Sequence, residues 1–345
     1  MKFNMNLRFT LCILLLPFFI LISDSSKAQD KLKARDINYN LYYIQNPSGG
    51  NVAFLITRKG VIVIDSDSSI ANAKDIISAI KSVTKKPIKY LILTHFHGDQ
   101  ANGVAAFPSD VQIIAHKNTA LNYETFYQEK LNLHIDSIVP EQLQSIKTKM
   151  DSMRNKNSLY YEKLENNYAD KLEYLDELKR TKFKTPDIIF EDFYRLKVAD
   201  ERIILEYPGP CHTNDNILVK FSNHNVIHTG DLVFNGRFPC MTPEHGVDII
   251  NWIQTLEDIY SENIIDVIHS QGRISSKSSI NKQIRYFKTL TAKINDLSNE
   301  GYSLSDIKKQ ISVLDFKLTG NESQLPINIE VIYSVGSKNT KWWKF

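Results

Sequence analysis

Four short segments gather the residue types that do hydrolytic and metal chemistry. The first is Thr94-His95-Phe96-His97-Gly98-Asp99-Gln100. Two imidazoles one residue apart can approach one metal ion from a tight loop, and Asp99 can face a second ion or its water. Gly98 leaves the backbone free to bring the three side chains together. The others are Pro208-Gly209-Pro210-Cys211-His212-Thr213, His228-Thr229-Gly230-Asp231 and Ile268-His269-Ser270-Gln271-Gly272. A lone His-x-His is common by chance. Placed after a buried β-run, with an Asp two residues on, it is far more specific.

Strands must present these segments. Leu41–Ile44, Val52–Ile56 and Val61–Asp65 read as strands, with turn signals at Gly49-Gly50 and Lys59-Gly60. Apolar spacing predicts a helix over Ala71–Ile80, then a buried strand Tyr90–Thr94 running into the histidine loop, and a strand Val111–Ala115. The same grammar returns after Thr185, with strands near Ile188–Phe190, Ile203–Tyr207, Ile217–Phe221 and Val226–Thr229. A helix near Val247–Tyr260, a strand near Ile264–Ile268 and a helix after Ser276 follow. Two similar halves, each a sheet covered by helices, are expected. Between them, at about 117–185, lies a Lys-, Glu-, Asp- and Asn-rich stretch almost without glycine. Leu143, Ile146, Met150 and Met153, then Leu164, Tyr168, Leu172, Leu175 and Leu178, recur at helical spacing. This predicts an inserted helical hairpin packing one apolar face, either a solvated insertion without catalytic residues or a lid or dimer surface.

Taken together, the four segments resemble the metallo-β-lactamase superfamily, whose order is His-x-His-x-Asp-His, then His, then Asp, then His. The resemblance covers about residues 38 to 290, and the C-terminal stretch from Gly301 to Tyr333 resembles the tail of an exported branch. It implies an α/β fold, an αββα sandwich with a metal cleft along one edge of the sheets. His95, His97 and His212 match the histidines of a first zinc site, Asp99 the carboxylate of a second, and Asp231 the carboxylate bridging both. Asp65, at an early strand end, matches a supporting residue. Two positions depart from the pattern. Gln100 and Gln271 stand where that family has histidines, so the second site has lost both imidazoles while the first is complete. The expectation is one tightly bound zinc, with the second pocket weak, empty or holding a harder ion.

Other histidines need weighing. His116, His134, His224 and His228 read as surface or core residues, whereas His245 and His269 lie on loops expected near the cleft, where either could replace a lost ligand. Cys211 is expected to pack behind His212. Cys211 and Cys240 could be free or paired.

Lys2 and Arg8, an apolar run Phe9–Ile22 and the polar residues ending Ser26-Lys27-Ala28 have the order of a signal peptide over 1–28, which implies a periplasmic or secreted protein. The rest, 29–345, reads as a single domain with a helical tail from about 290 and no later membrane span. The formal charge is +3, from 42 basic and 39 acidic residues, with no long block of like charge, which argues against a nucleic-acid partner. A small-molecule substrate is expected. The resulting function is an exported zinc hydrolase opening an amide, lactam, lactone or ester bond, with Asp99 and Asp231 assisting. The alternative is a non-catalytic or regulatory ligand-binding member of the fold with a degraded second site.

Overall fold

The strands alternate their side chains between two buried faces, so the molecule is built in layers. In the computed structural model, which describes residues 32–46, 49–153, 158–180 and 184–338, one sheet runs in the order β1 (Ala34–Asn38), β2 (Leu41–Ile44), β3 (Val52–Thr57), β4 (Gly60–Ile64), β5 (Ile88–Ile92), β6 (Gln112–His116) and β7 (Ile188–Phe190). The other runs β12 (Asp266–Ile268), β11 (Val226–His228), β10 (Leu218–Phe221), β9 (Glu201–Glu206) and β8 (Phe193–Val198). Leu55, Ile62, Ile64 and Ile92 meet Leu205, Val219, Val226 and Ile268 between the sheets. Their sequence neighbours face outward: Phe54, Val63 and Leu91 pack under the helix Ile70–Val83. Leu218, Ile227 and Val267 pack under the helices Ile249–Ser261 and Ser278–Asn299. The result is the expected αββα sandwich.

Each covering helix follows its local chemistry. Ser69 caps Ile70–Val83 by accepting from Asn72 N at 3.0 Å, and Ala73, Ile76, Ile77 and Ile80 form its buried stripe. Asp248 caps Ile249–Ser261 by accepting from the backbone N–H groups of Ile250 and Asn251. Trp252, fully buried, donates from Nε1 to the Leu232 carbonyl at 2.9 Å. That bond ties the helix layer to the loop that follows Asp231.

Several expectations need correction. Ile188–Phe190 does not join the second half: it pairs parallel to β6 and forms the edge of the first sheet. Burial alone cannot decide between two sheets for so short a strand. Two strands, Ala34–Asn38 and Phe193–Val198, were not anticipated; both lie at sheet edges and carry polar residues that blur the alternation. The insertion is helical, with the long helices Val139–Met153 and Ser158–Arg180 packed together. Leu143, Ile146 and Leu164 are buried, but Leu172 is exposed, so the apolar face is narrower than its spacing suggested. The proposed signal peptide lies outside the described residues. Among those described, no helix is long and apolar enough to cross a membrane.

Candidate metal centre

Parallel pairing puts the ends of β4, β5 and β6 side by side, and β11 with β12 does the same in the second sheet. Loops leaving such ends converge at one edge, where open α/β sheets bind ligands. Asp65 follows β4, His95 and His97 follow β5, Asp231 follows β11, and Gln271 follows β12. His212 comes from the loop between β9 and β10. One ligand atom from each of His95, His97, His212 and Asp231 lies within 4.8 Å of every other. Among the described residues this is the one cluster of metal-binding groups.

The hydrogen bonds behind the cluster decide which nitrogens face it. Asp65 Oδ1 accepts from Thr94 N at 2.7 Å, and its Oδ2 accepts from the Thr94 hydroxyl at 2.8 Å. With Asp65 ionised the Thr94 hydrogen is committed, so Thr94 Oγ1, 3.1 Å from His95 Nδ1, accepts from that ring. His95 Nε2 is therefore bare, and it is buried without a hydrogen-bond partner. His212 Nδ1 donates to the Cys240 carbonyl at 3.0 Å, because a carbonyl can only accept, so its Nε2 is bare as well. That Nε2 stands 3.1 Å from His97 Nδ1 and 3.7 Å from Asp231 Oδ2. Two bare imidazole nitrogens, a third imidazole turned toward them and a carboxylate are a donor set that zinc fits.

Burial sets the electrostatics. It pushes the His212 imidazole down to about 4 and His95 well below the usual range, so both rings are neutral as metal ligands must be. Burial, then the Asp231 charge, lifts the Asp99 carboxyl to about 7, and burial lifts Asp231 to about 6. Burial also raises the Asp65 carboxyl above its ordinary value, while the two Thr94 bonds favour the anion that holds the Thr94 hydrogen. Three carboxyls held this far from their anions would be relieved by a nearby cation, and the two neutral imidazoles are ready to ligate one.

Asp99 stands apart from the cluster. Its Oδ2 accepts from Gln271 Nε2 at 3.0 Å. Gln100 is fully buried and its amide favours the Asp99 anion, yet neither amide atom closes a hydrogen bond. His269 is not placed to substitute for a lost ligand: its Nδ1 donates to the Gln271 carbonyl at 2.6 Å and its Nε2 lies 3.2 Å from Ser275 Oγ. His245 does reach the centre, with Nδ1 2.8 Å from His97 Nε2. Cys211 is buried in the core behind the site beside Thr255, burial pushes its thiol up to about 12, and both Cys211 and Cys240 are free. His116 and His228 are core residues, and His224 is buried between Asn38 and Glu201.

A profile of the Metallo-beta-lactamase superfamily matches residues 46–264. The chain belongs to that family. It is 21% identical over 267 residues to a linear primary-alkylsulfatase of Pseudomonas sp., covering 74% of this chain and 48% of that protein. It is 23% identical over 302 residues to a metallo-beta-lactamase type 2 of Bacillus sp., covering 80% and 96%. Among solved structures, a metallo-beta-lactamase from Pontibacter korlensis superposes with a TM-score of 0.52 and 17% identity over 74% of this chain and 97% of that one. A stereoselective inverting sec-alkylsulfatase from Pseudomonas sp. gives 0.58 and 14% over 88% and 50%. These superpositions establish the likeness of fold.

Sequence reasoning missed the residues that shape the superfamily's third loop here. Asn216 Oδ1 accepts from Asp231 N at 3.0 Å, and its Nδ2 donates to the Thr229 carbonyl. Gly230 has φ +55°, and a Cβ there would meet the Asn216 amide and Thr94. Asp215, buried beside Asn216, accepts from Phe96 N at 2.9 Å and so pins the His95–His97 turn. The sequence signal for both was faint: an Asp and an Asn just before a strand, a position usually read as loop polarity.

Proposed function

We propose that this chain is an exported zinc-dependent hydrolase that works with a single tightly held zinc. One observation carries the reading: three imidazoles and the Asp231 carboxylate converge within 4.8 Å, with the bare nitrogens of His95 and His212 fixed by their hydrogen bonds. His95 Nε2, His97 Nδ1 and His212 Nε2 would hold the ion, with a carboxylate oxygen of Asp231 as the fourth protein donor nearby. Zinc there supplies a Lewis acid that polarises the scissile group and acidifies water. Asp99, at the half-buried mouth of the cleft, is the residue to orient the attacking water and take its proton. Gln271, by donating to Asp99, does part of what a second cation would do for that carboxylate.

The second pocket offers only oxygen donors, from Asp99, Asp231 and two amides, a set that suits a harder ion or none. The bond broken is an amide, lactam, lactone or ester. The names of the relatives add sulfate esters to the classes to be tried. The double glutamine also favours a second reading, a ligand-binding member that has lost turnover. Both are tested by measuring metal content of the purified full chain after dialysis. Hydrolysis of a chromogenic cephalosporin, a lactone, an aryl ester and an alkyl sulfate is then followed with and without chelator. One zinc and chelator-sensitive turnover support the hydrolase. One zinc, no turnover and saturable binding of one of these compounds support the second reading. Absence of bound zinc overturns both.

A further inference from the structure

We infer that His245 is the tautomer partner of His97, a positioning residue that sets which nitrogen His97 turns to the metal. The inference rests on the zinc site proposed above. His97 Nδ1 lies 3.1 Å from His212 Nε2, and His97 Nε2 lies 2.8 Å from His245 Nδ1. His212 Nε2 is bare, because its Nδ1 hydrogen is committed to the Cys240 carbonyl. In the metal-free protein the N···N contact to His212 therefore needs the His97 hydrogen on Nδ1. That leaves His97 Nε2 bare, so the 2.8 Å contact needs a hydrogen on His245 Nδ1. With an ion on His97 Nδ1 every assignment reverses. His97 carries its hydrogen on Nε2 and donates it to His245 Nδ1, and His245 carries its own on Nε2. Each ring holds one hydrogen before and after. The His245 Nδ1 hydrogen passes to His97 Nε2, while the His97 Nδ1 hydrogen leaves to solvent and solvent supplies one to His245 Nε2.

This switching explains why an imidazole suits the position. A carboxylate could only accept, whereas imidazole donates in one state and accepts in the other. The ring is held for the task. His245 is nearly fully buried in a short turn closed by Gly246 at φ +80°, and its carbonyl accepts from Asn214 N at 2.9 Å. Its ring packs on Phe96 and Phe126, with centroids 4.9 and 5.2 Å away. Phe126 belongs to the first part of the helical insertion, and Asn118 and Asn122 from the same part donate to the Asn214 carbonyl and side chain. The base of the insertion thus buttresses a residue one bond removed from the metal.

The experiment uses the full chain labelled with 15N-histidine, recorded without metal and with one equivalent of zinc. Long-range proton–nitrogen spectra distinguish the two tautomers of each ring. The expected result is His245 protonated at Nδ1 without metal and at Nε2 with zinc, with the reverse exchange at His97. Zinc competition against a chromophoric chelator accompanies it. His245→Ala should lose about tenfold to a hundredfold in affinity. His245→Asn, whose amide can both donate and accept at the Nδ1 position, should recover most of it. Metal-free melting of each variant separates unfolding from lost positioning, and the tautomers of the unmodified protein need no variant. An unchanged His245 tautomer on zinc binding, or affinity untouched by His245→Ala, overturns the inference while leaving the zinc site standing. Failure of the unmodified protein to bind zinc overturns the proposed function itself.

Discussion

Replacing Asp65 by Asn tests whether metal affinity depends on hydrogen-bond direction rather than on shape. The Asp65 carboxylate accepts twice from Thr94, at N and at Oγ1, in a fully buried setting. An Asn fits the same space, and it tolerates the left-handed backbone found there, φ +66°. Its oxygen must keep facing Thr94 N, since two donors cannot meet, so its NH₂ faces Thr94 Oγ1. The Thr94 hydroxyl then accepts from Asn and donates to His95 Nδ1, which drives the His95 hydrogen onto Nε2, the nitrogen aimed at the metal. Zinc binding must first reverse this arrangement, at a cost of about tenfold to a hundredfold in affinity, or about 1.4–2.7 kcal/mol. The metal-free fold should hardly notice, because both Thr94 groups stay paired. Asp65→Ala is the opposite case: it strands two buried donors at about 1–3 kcal/mol each, lowering stability and loosening the ligand loop without abolishing binding. Chelator competition gives the affinities, and urea unfolding in EDTA gives the stabilities. An Asn variant that binds zinc as tightly as the unmodified protein would refute the relay from Asp65 through Thr94 to His95.

His95→Ala or His212→Ala should remove tight zinc binding, since either leaves two imidazoles on an ion that prefers four ligands; a full zinc equivalent surviving dialysis would show that the cleft is wrongly assigned. Gln100→His combined with Gln271→His should raise zinc content from about one toward two per chain, read by elemental analysis, and two equivalents already present without the substitutions would sink the single-ion proposal. Trp252→Ala should cost about 3–5 kcal/mol in chemical unfolding, because the ring is fully buried and its Nε1 serves the Leu232 carbonyl; a loss below about 1 kcal/mol would contradict its place in the core. His228 is held neutral by burial, its folded value near 3 against 6.5 for the free side chain. Between those values the unfolded chain binds a proton the folded chain refuses, so His228 makes the protein lose stability as pH falls from 6.5. At about 1.36 kcal/mol per unit, its share between pH 6.5 and 4.5 is roughly 2.5 kcal/mol, and His228→Gln measured in EDTA should show a correspondingly flatter acid slope.

The chemistry was legible where it is written in adjacent residues. His95, His97 and Asp99 share one loop, and a buried strand in front of them fixed their placement at a sheet edge. The αββα layering was equally legible, because β3, β4, β10 and β11 alternate apolar residues between two buried faces. What escaped depends on contacts made across long stretches of chain. Ile188–Phe190 carries no mark of which sheet it joins, and only pairing with β6 across the insertion decides it. His245 is expected near the cleft, but its contact with His97, 148 residues away in the chain, cannot be read from a turn without regular periodicity. His269 is expected near the cleft equally, yet both its ring nitrogens are engaged by its own loop, with the Gln271 carbonyl and Ser275 Oγ.

His269 and Gln271 also explain why the second pocket differs from the first. At the first site each of two imidazoles is held by an acceptor behind it, Thr94 Oγ1 for His95 and the Cys240 carbonyl for His212, which leaves a lone pair facing inward. The histidine of the fourth loop uses its Nδ1 on the backbone of its own turn, and the loop is fastened by Asn51, which donates to the carbonyls of His269 and Gly272. The residue this loop presents to the cleft is therefore Gln271, and it offers Asp99 a hydrogen rather than offering an ion a lone pair. To offer an ion its oxygen, the Gln271 amide would have to turn about and give up its bond to Asp99. On the single-zinc reading proposed above, that cost falls on a second ion and not on the first, so the first site is expected to fill before the second.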